Sequence, residues 1–158
     1  MKCNLPRPAA LAAALLLAVT PLASTGASAD PTPSRSATLA AAQEKVVYHV
    51  NDATRARMAL RNVQNHITAD PDAKIVVVTH GAGIDFLLNG AKDDKGQAYE
   101  AQVAGLKERG VGFRVCRNTL RGRNLGDDAV IIDAEVVPSG VAEIGRLQAR
   151  EGFVYLKP

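Results

Sequence analysis

Only two cysteines occur in this chain, Cys3 and Cys116, and only the second lies in the part that reads as a folded domain. One cysteine cannot close an internal disulfide, and without a C-x-x-C pair it cannot exchange dithiols within the chain. The fold therefore has to rest on its hydrophobic core. Long hydrophobic runs are missing as well. The apolar stretch at residues 9–19 has 11 residues, well short of the roughly 20 that span a hydrocarbon core, so it does not read as a retained membrane anchor. No run of lysine and arginine is interleaved with aromatics, which removes the usual sign of a nucleic-acid surface. Three dispersed histidines and one cysteine lack metal-ligand spacing, so no metal is expected. Gly81-Ala82-Gly83 lacks the third glycine and the first-strand setting of a dinucleotide fingerprint, so no cofactor is expected either.

What the N-terminus does contain is an export signature. Lys2 and Arg7 give a positive start, the Ala/Leu-rich run follows, and small residues end in Ala27-Ser28-Ala29 just before Asp30. This order predicts a cleaved signal peptide over residues 1–29 and a periplasmic or secreted mature protein with no membrane association after cleavage. Cys3 precedes the apolar run and leaves with the signal. Losing Lys2 and Arg7 leaves 17 basic against 16 acidic residues, a net charge of +1. The high isoelectric point therefore belongs largely to the signal. Residues 30–43, rich in proline, serine and alanine, predict a loose lead-in with room for a short helix before Glu44. Residues 44–158 predict one domain with one core.

Along that domain the hydrophobic period alternates between two and 3.6. Residues 45–50 (KVVYHV) form a β-branched run. Residues 54–67 then carry Ala56, Leu60, Val63 and Ile67 on one helical face, with Asp52 where an N-cap belongs. Residues 74–79 (KIVVVT) suit a strand buried on both sides. A turn at residues 80–83, a helical turn at 84–88 and a mobile polar loop at 89–97 follow. Tyr99, Val103 and Leu106 then resume helical spacing up to Gly110. Residues 111–115 predict a third strand ending at Cys116, residues 118–125 a short helix, and residues 134–137 a fourth strand. Pro138-Ser139 opens a helix bearing Val141, Ile144 and Leu147, and residues 153–156 predict the last strand. Five short strands alternating with helices specify an α/β fold with a mainly parallel sheet covered on both sides, its strand order open.

In such sheets ligands bind beyond the carboxyl ends of the strands. The residues just past the predicted strands are Asn51 and Asp52, His80 and Gly81, Cys116, and Ser139. Cys116 precedes a helix, where the positive end of the dipole and unpaired N–H groups favour thiolate over thiol. Arg117 and Arg121 are candidates for added positive potential, or simply a solvated face. Asn118 or Thr119 is expected to cap the helix. The bland alternative is that Cys116 is a buried, inert, small apolar residue. His80 is either a base for a thiol nucleophile or a hydrogen-bonded structural residue. His49 is expected to be packed inside the first strand and His66 to be exposed on its helix. Asp127-Asp128 reads as a turn or cap.

The segments KVVYHVND (45–52), VVVTHGAGIDFLL (76–88), GVGFRVCRNTL (110–120) and EVVPSGVAEIGRLQAREGFVYLKP (135–158) resemble the DsrE/DsrF-like proteins of sulfur metabolism, and within them an exported, stand-alone subgroup. The most specific pieces are C-x-N-T-[LM] at Cys116, the V-P-x-G-V-x-E block, and the G-[FW]-x-Y ending. The resemblance implies a three-layer α/β/α fold, homo-oligomers such as trimers or hexamers, and a sulfur-relay role with donor or acceptor proteins. It places persulfide sulfur on Cys116.

Three readings result. The first is a sulfur carrier or sulfurtransferase-like protein using Cys116, with Arg117, Asn118, Thr119 and His80 as supporting residues. The second is a non-enzymatic oligomeric binding or assembly module in which Cys116 is packing. The third is a cysteine hydrolase with His80 as base.

Overall fold

The computed structural model describes residues 43–158, so the expected signal peptide, Cys3 and nearly all of the lead-in lie outside the described residues. Five strands, β1 (Lys45–Val50), β2 (Lys74–Thr79), β3 (Gly112–Cys116), β4 (Glu135–Val137) and β5 (Val154–Leu156), form one sheet. Four helices, α1 (Ala56–Ala69), α2 (Glu100–Glu108), α3 (Arg117–Gly122) and α4 (Gly140–Glu151), connect them. The strand order is β4-β3-β2-β1-β5, and every pairing is parallel.

The two phases of each strand feed two separate cores. Val46, Tyr48 and Val50 of β1 point with Ile75, Val77, Phe113 and Val115 into the larger one, where they meet Leu60 and Val63 of α1, Val103 and Leu106 of α2, and Leu120 of α3. Val47, Val76 and Val78, in the opposite phase, pack against Ile144 and Leu147 of α4 and against Phe153. The result is three layers: among the described residues, α1, α2 and α3 lie on one face of the sheet and α4 on the other. The chain winds steadily from β1 to β4 on the first face. It then crosses by α4 and adds β5 beyond β1.

The helix starts and stops follow their residues. Asp52 accepts from the Thr54 N–H and caps a 3-10 turn, Ala53–Arg55, that runs into α1. Ser139 caps α4 through the Ala142 N–H, and Gly152 ends it in the left-handed region. The helix expected over residues 118–125 is shorter, because Asn124 takes a positive φ of 56° and a 3-10 turn follows at Asp127–Ala129.

Residues 89–97 carry more bonds than the expected mobile loop would. The Asp93 carboxylate accepts from the N–H groups of Lys95 and Gln97, and Arg57 reaches across from α1 to Asp93, Gln102 and the carbonyls of Gln97 and Ala98. His66 is likewise not free on its helix. It hydrogen-bonds the Tyr48 hydroxyl at 2.9 Å and lies 3.3 Å from Glu44. A tyrosine facing the α1 side of β1 brings its hydroxyl to that helix and needs a partner there.

Candidate functional site

The winding of the sheet sets the position of Cys116. The chain leaving β3 enters α3 on one face, while the chain leaving β4 enters α4 on the other. Adjacent strands whose exits diverge in this way open a crevice between their carboxyl ends, where α/β sheets bind ligands. Cys116 pairs with Val137 on the two sides of that divide. Its sulfur therefore sits where two helices begin.

Cys116 itself occupies the N-cap position of α3. It is only 4% exposed. Burial raises its pKa, but hydrogen bonds from the Gly140 N–H, the Thr119 hydroxyl, and the N–H groups of Thr119 and Asn118 outweigh burial, and the net direction is down. Donors aimed at sulfur favour the anion. Gly140 has to be glycine for this geometry. A methyl group there would lie 2.9 Å from the Thr79 carbonyl oxygen, 3.1 Å from Cys116 Cβ and 3.3 Å from His80 Cβ.

The supporting residues differ in what they contribute. Thr119 does not cap α3. Its hydroxyl accepts from the Gly81 N–H at 3.0 Å and so has its proton free for the sulfur. Gly81 makes that bond from the left-handed region, φ 57°. Gly83 is needed for another reason, since a methyl group on it would collide with the Val50 carbonyl. Asn118 is exposed and contributes its backbone N–H. Arg117 is turned away to Asp127, with Nη2–Oδ2 at 2.7 Å and Nε–Oδ1 at 3.2 Å. The positive potential at Cys116 thus comes from backbone and hydroxyl dipoles, whereas Arg117 spends its charge on Asp127. A depression of about 430 Å³ lined by Gly81, Ala82, Asp85, Thr119, Gly122 and Arg123 adjoins the site. A larger cavity, about 520 Å³, lies by Arg57 and Tyr99 and is lined by none of these supporting residues.

His80 follows β2 next to Cys116, and sequence reasoning missed its partners. His80 Nε2 and His49 Nε2 are 2.7 Å apart, and His49 Nδ1 is 2.7 Å from the Tyr155 hydroxyl. The ring centroids are 4.6 Å apart and the planes tilt by 30°, so the rings meet at their Nε2 edges. Burial, then His80, then Lys157 push the His49 pKa down to about 4; burial and then Lys157 also lower that of His80. The signal for this cluster was the alternation itself. His49 shares its phase with Val47, and Tyr155 is the register partner of Val47. Among the described residues no group of three or more histidine, cysteine or carboxylate side chains converges as a metal site requires.

The sequence profile of the DsrE/DsrF-like family matches residues 27–158. Among solved structures the chain is similar to MTH1491, a protein of unknown function from Methanobacterium thermoautotrophicum, at 31% identity and a TM-score of 0.65. That match covers 73% of this chain and 100% of the other. It shares its fold with the ychN protein of E. coli at a TM-score of 0.63 and 15% identity, again over 73% of this chain and 100% of that one. No curated protein matches the chain. The chain belongs to the DsrE/DsrF-like family, which is related in general to sulfur relay.

Proposed function

We propose that this protein is an exported sulfur carrier that holds sulfane sulfur as a persulfide on Cys116, acting as a homo-oligomer with a separate sulfur donor and acceptor. The observation that carries this reading is the position of Cys116, which is the N-cap of α3 and lies against Gly140 at the start of α4; the N–H groups of Gly140, Thr119 and Asn118 and the Thr119 hydroxyl lower the thiol pKa against the effect of burial. Loading then needs no oxidant. The Cys116 thiolate attacks the outer sulfur of a donor persulfide, a new S–S bond forms, the donor's S–S bond breaks, and the donor leaves as a thiolate with the bonding pair. Thr119 and Asn118 hold the anion, Arg117 fixes the first turn of α3 through Asp127, and His80 lies beside the sulfur.

Intact mass of the reduced protein after polysulfide or thiosulfate tests this directly. One added sulfur on the wild type and none on Cys116→Ser is expected; no adduct on the wild type, or an equal adduct on the variant, overturns it. The leader is tested by the N-terminal sequence of the exported form, expected to begin at Asp30. Oligomer size is tested by sedimentation.

One observation favours the second reading, an assembly module with a structural cysteine. Cys116 is 4% exposed, while Ile132 and Val141 stand 98% and 64% exposed. On that reading the thiol resists alkylation until the protein unfolds, and Cys116→Ala assembles normally.

A further inference from the structure

A row of polar side chains crosses the α4 face of the sheet at its carboxyl rim. Val78 is the register partner of both His49 and Arg114. One alternation further along, His80 comes level with Cys116, and both leave the backbone beside Gly140. Tyr155 on β5 and His49 on β1 continue the row outward, through contacts of 2.7 Å and 2.7 Å. Tyr155 is 38% exposed and meets water. His80 Nδ1 has no hydrogen bond among the described residues.

Two Nε2 atoms 2.7 Å apart hold one proton between them. In one arrangement the Tyr155 O–H donates to His49 Nδ1, His49 Nε2–H donates to His80 Nε2, and His80 carries its proton on Nδ1. In the other, His80 Nε2–H donates to His49 Nε2, His49 Nδ1–H donates to Tyr155, and His80 Nδ1 is bare. Passing from the first to the second releases a proton at His80 Nδ1 and takes one up from water at Tyr155.

We propose that Tyr155, His49 and His80 are a proton relay serving the sulfur on Cys116, with His80 as the terminal acid and base. The proposal rests on the carrier reading. A persulfide whose outer sulfur is anionic repels an incoming nucleophile; the same sulfur protonated accepts one. With cyanide as acceptor, a C–S bond forms to the outer sulfur, the S–S bond breaks, and Cys116 leaves as a thiolate with the bonding pair. The thiocyanic acid released loses its proton. The relay supplies the proton that makes the outer sulfur electrophilic. His80 is the catalytic residue; His49 and Tyr155 are positioning residues that pass the proton to it.

The test is thiocyanate release from persulfide-loaded protein, followed against pH and in heavy water. Wild type, His80→Ala, His49→Ala and Tyr155→Phe are each first checked for sulfur by mass. All four are expected to load. Release should slow by about tenfold or more in the two histidine variants and less in Tyr155→Phe, with the solvent isotope effect reduced and the pH profile shifted. Equal rates, isotope effects and profiles in loaded wild type and Tyr155→Phe, an exposed change that leaves the core intact, together with an unchanged profile in either histidine variant, overturn the relay while leaving the carrier standing. A wild type that takes no sulfur overturns the carrier reading, and the relay with it.

Discussion

Gly140 lies so close to Cys116 that a methyl group on it would approach the cysteine Cβ to 3.1 Å and the Thr79 carbonyl oxygen to 2.9 Å. The contact joins the first residue of α4 to the last residue of β3 across the crevice where the two chain exits diverge. It is also the contact that delivers the Gly140 N–H to the sulfur. A carbonyl cannot move without disturbing the β2 ladder, so the helix start would have to retreat.

Gly140→Ala should therefore cost about 1–3 kcal/mol, the usual range for overpacking a tight site, and should raise the thiol pKa by withdrawing one donor. Urea denaturation measures the first effect, and the pH dependence of alkylation or of thiolate absorbance measures the second. An alanine variant matching the wild type on both counts would show that the approach is not constraining.

Thr119 sets a second prediction through linkage. The Cys116 pKa in the folded protein lies below its ordinary 9.0. Between the folded and unfolded values the unfolded chain binds more protons, so stability rises with pH across that window and is lost as pH falls through the folded value. Cys116→Ser should flatten this rise. Thr119→Val should shrink it by removing the hydroxyl, while Thr119→Ser should keep it. Denaturation midpoints measured over a pH series for the four proteins decide the matter; a slope that survives Cys116→Ser belongs to some other group.

The alternation of β-branched and helical spacing was enough to place all five strands within a residue or so, because each is a short apolar run set between a turn and a stretch of helical spacing. The order β4-β3-β2-β1-β5 was not legible, since it depends on which face each crossover takes. Cys116 closes β3 and His80 follows β2, so the strand pattern alone was enough to put both at the carboxyl rim of the sheet. Gly140 was visible only as part of a family motif, because its importance lies in distances to Thr79 and His80, residues about 60 positions away in the chain. The pairing of Arg117 was hidden for a similar reason. Its neighbour in sequence is the cysteine, but its partner in space is Asp127. His49 reads as packing because a strand interior is usually packed; its bond to Tyr155 depends on the β1–β5 register, which the sequence does not show.

The histidine pair makes the last prediction. Burial, then His80, then Lys157 hold His49 at a pKa of about 4, and burial followed by Lys157 also lowers His80, from an ordinary value of 6.5. Lys157, just beyond β5, and the Tyr155 hydroxyl are the other polar groups acting on the pair. A base with a depressed folded pKa binds fewer protons in the folded chain than in the unfolded one between the two values. Stability is therefore complete above 6.5 and declines as pH falls toward 4. With a discount for partial exposure, the decline owed to His49 should be about 1–2 kcal/mol. His49→Gln removes it. The difference in unfolding free energy between wild type and this variant should accordingly narrow on going from neutral pH to about pH 4. Asp52, Asp93, Asp127 and Glu151 also have lowered pKa values, but they titrate alike in both proteins and cancel. A difference that stays constant over that range would mean that burial and the charges of His80 and Lys157 do not lower the His49 pKa in the folded protein.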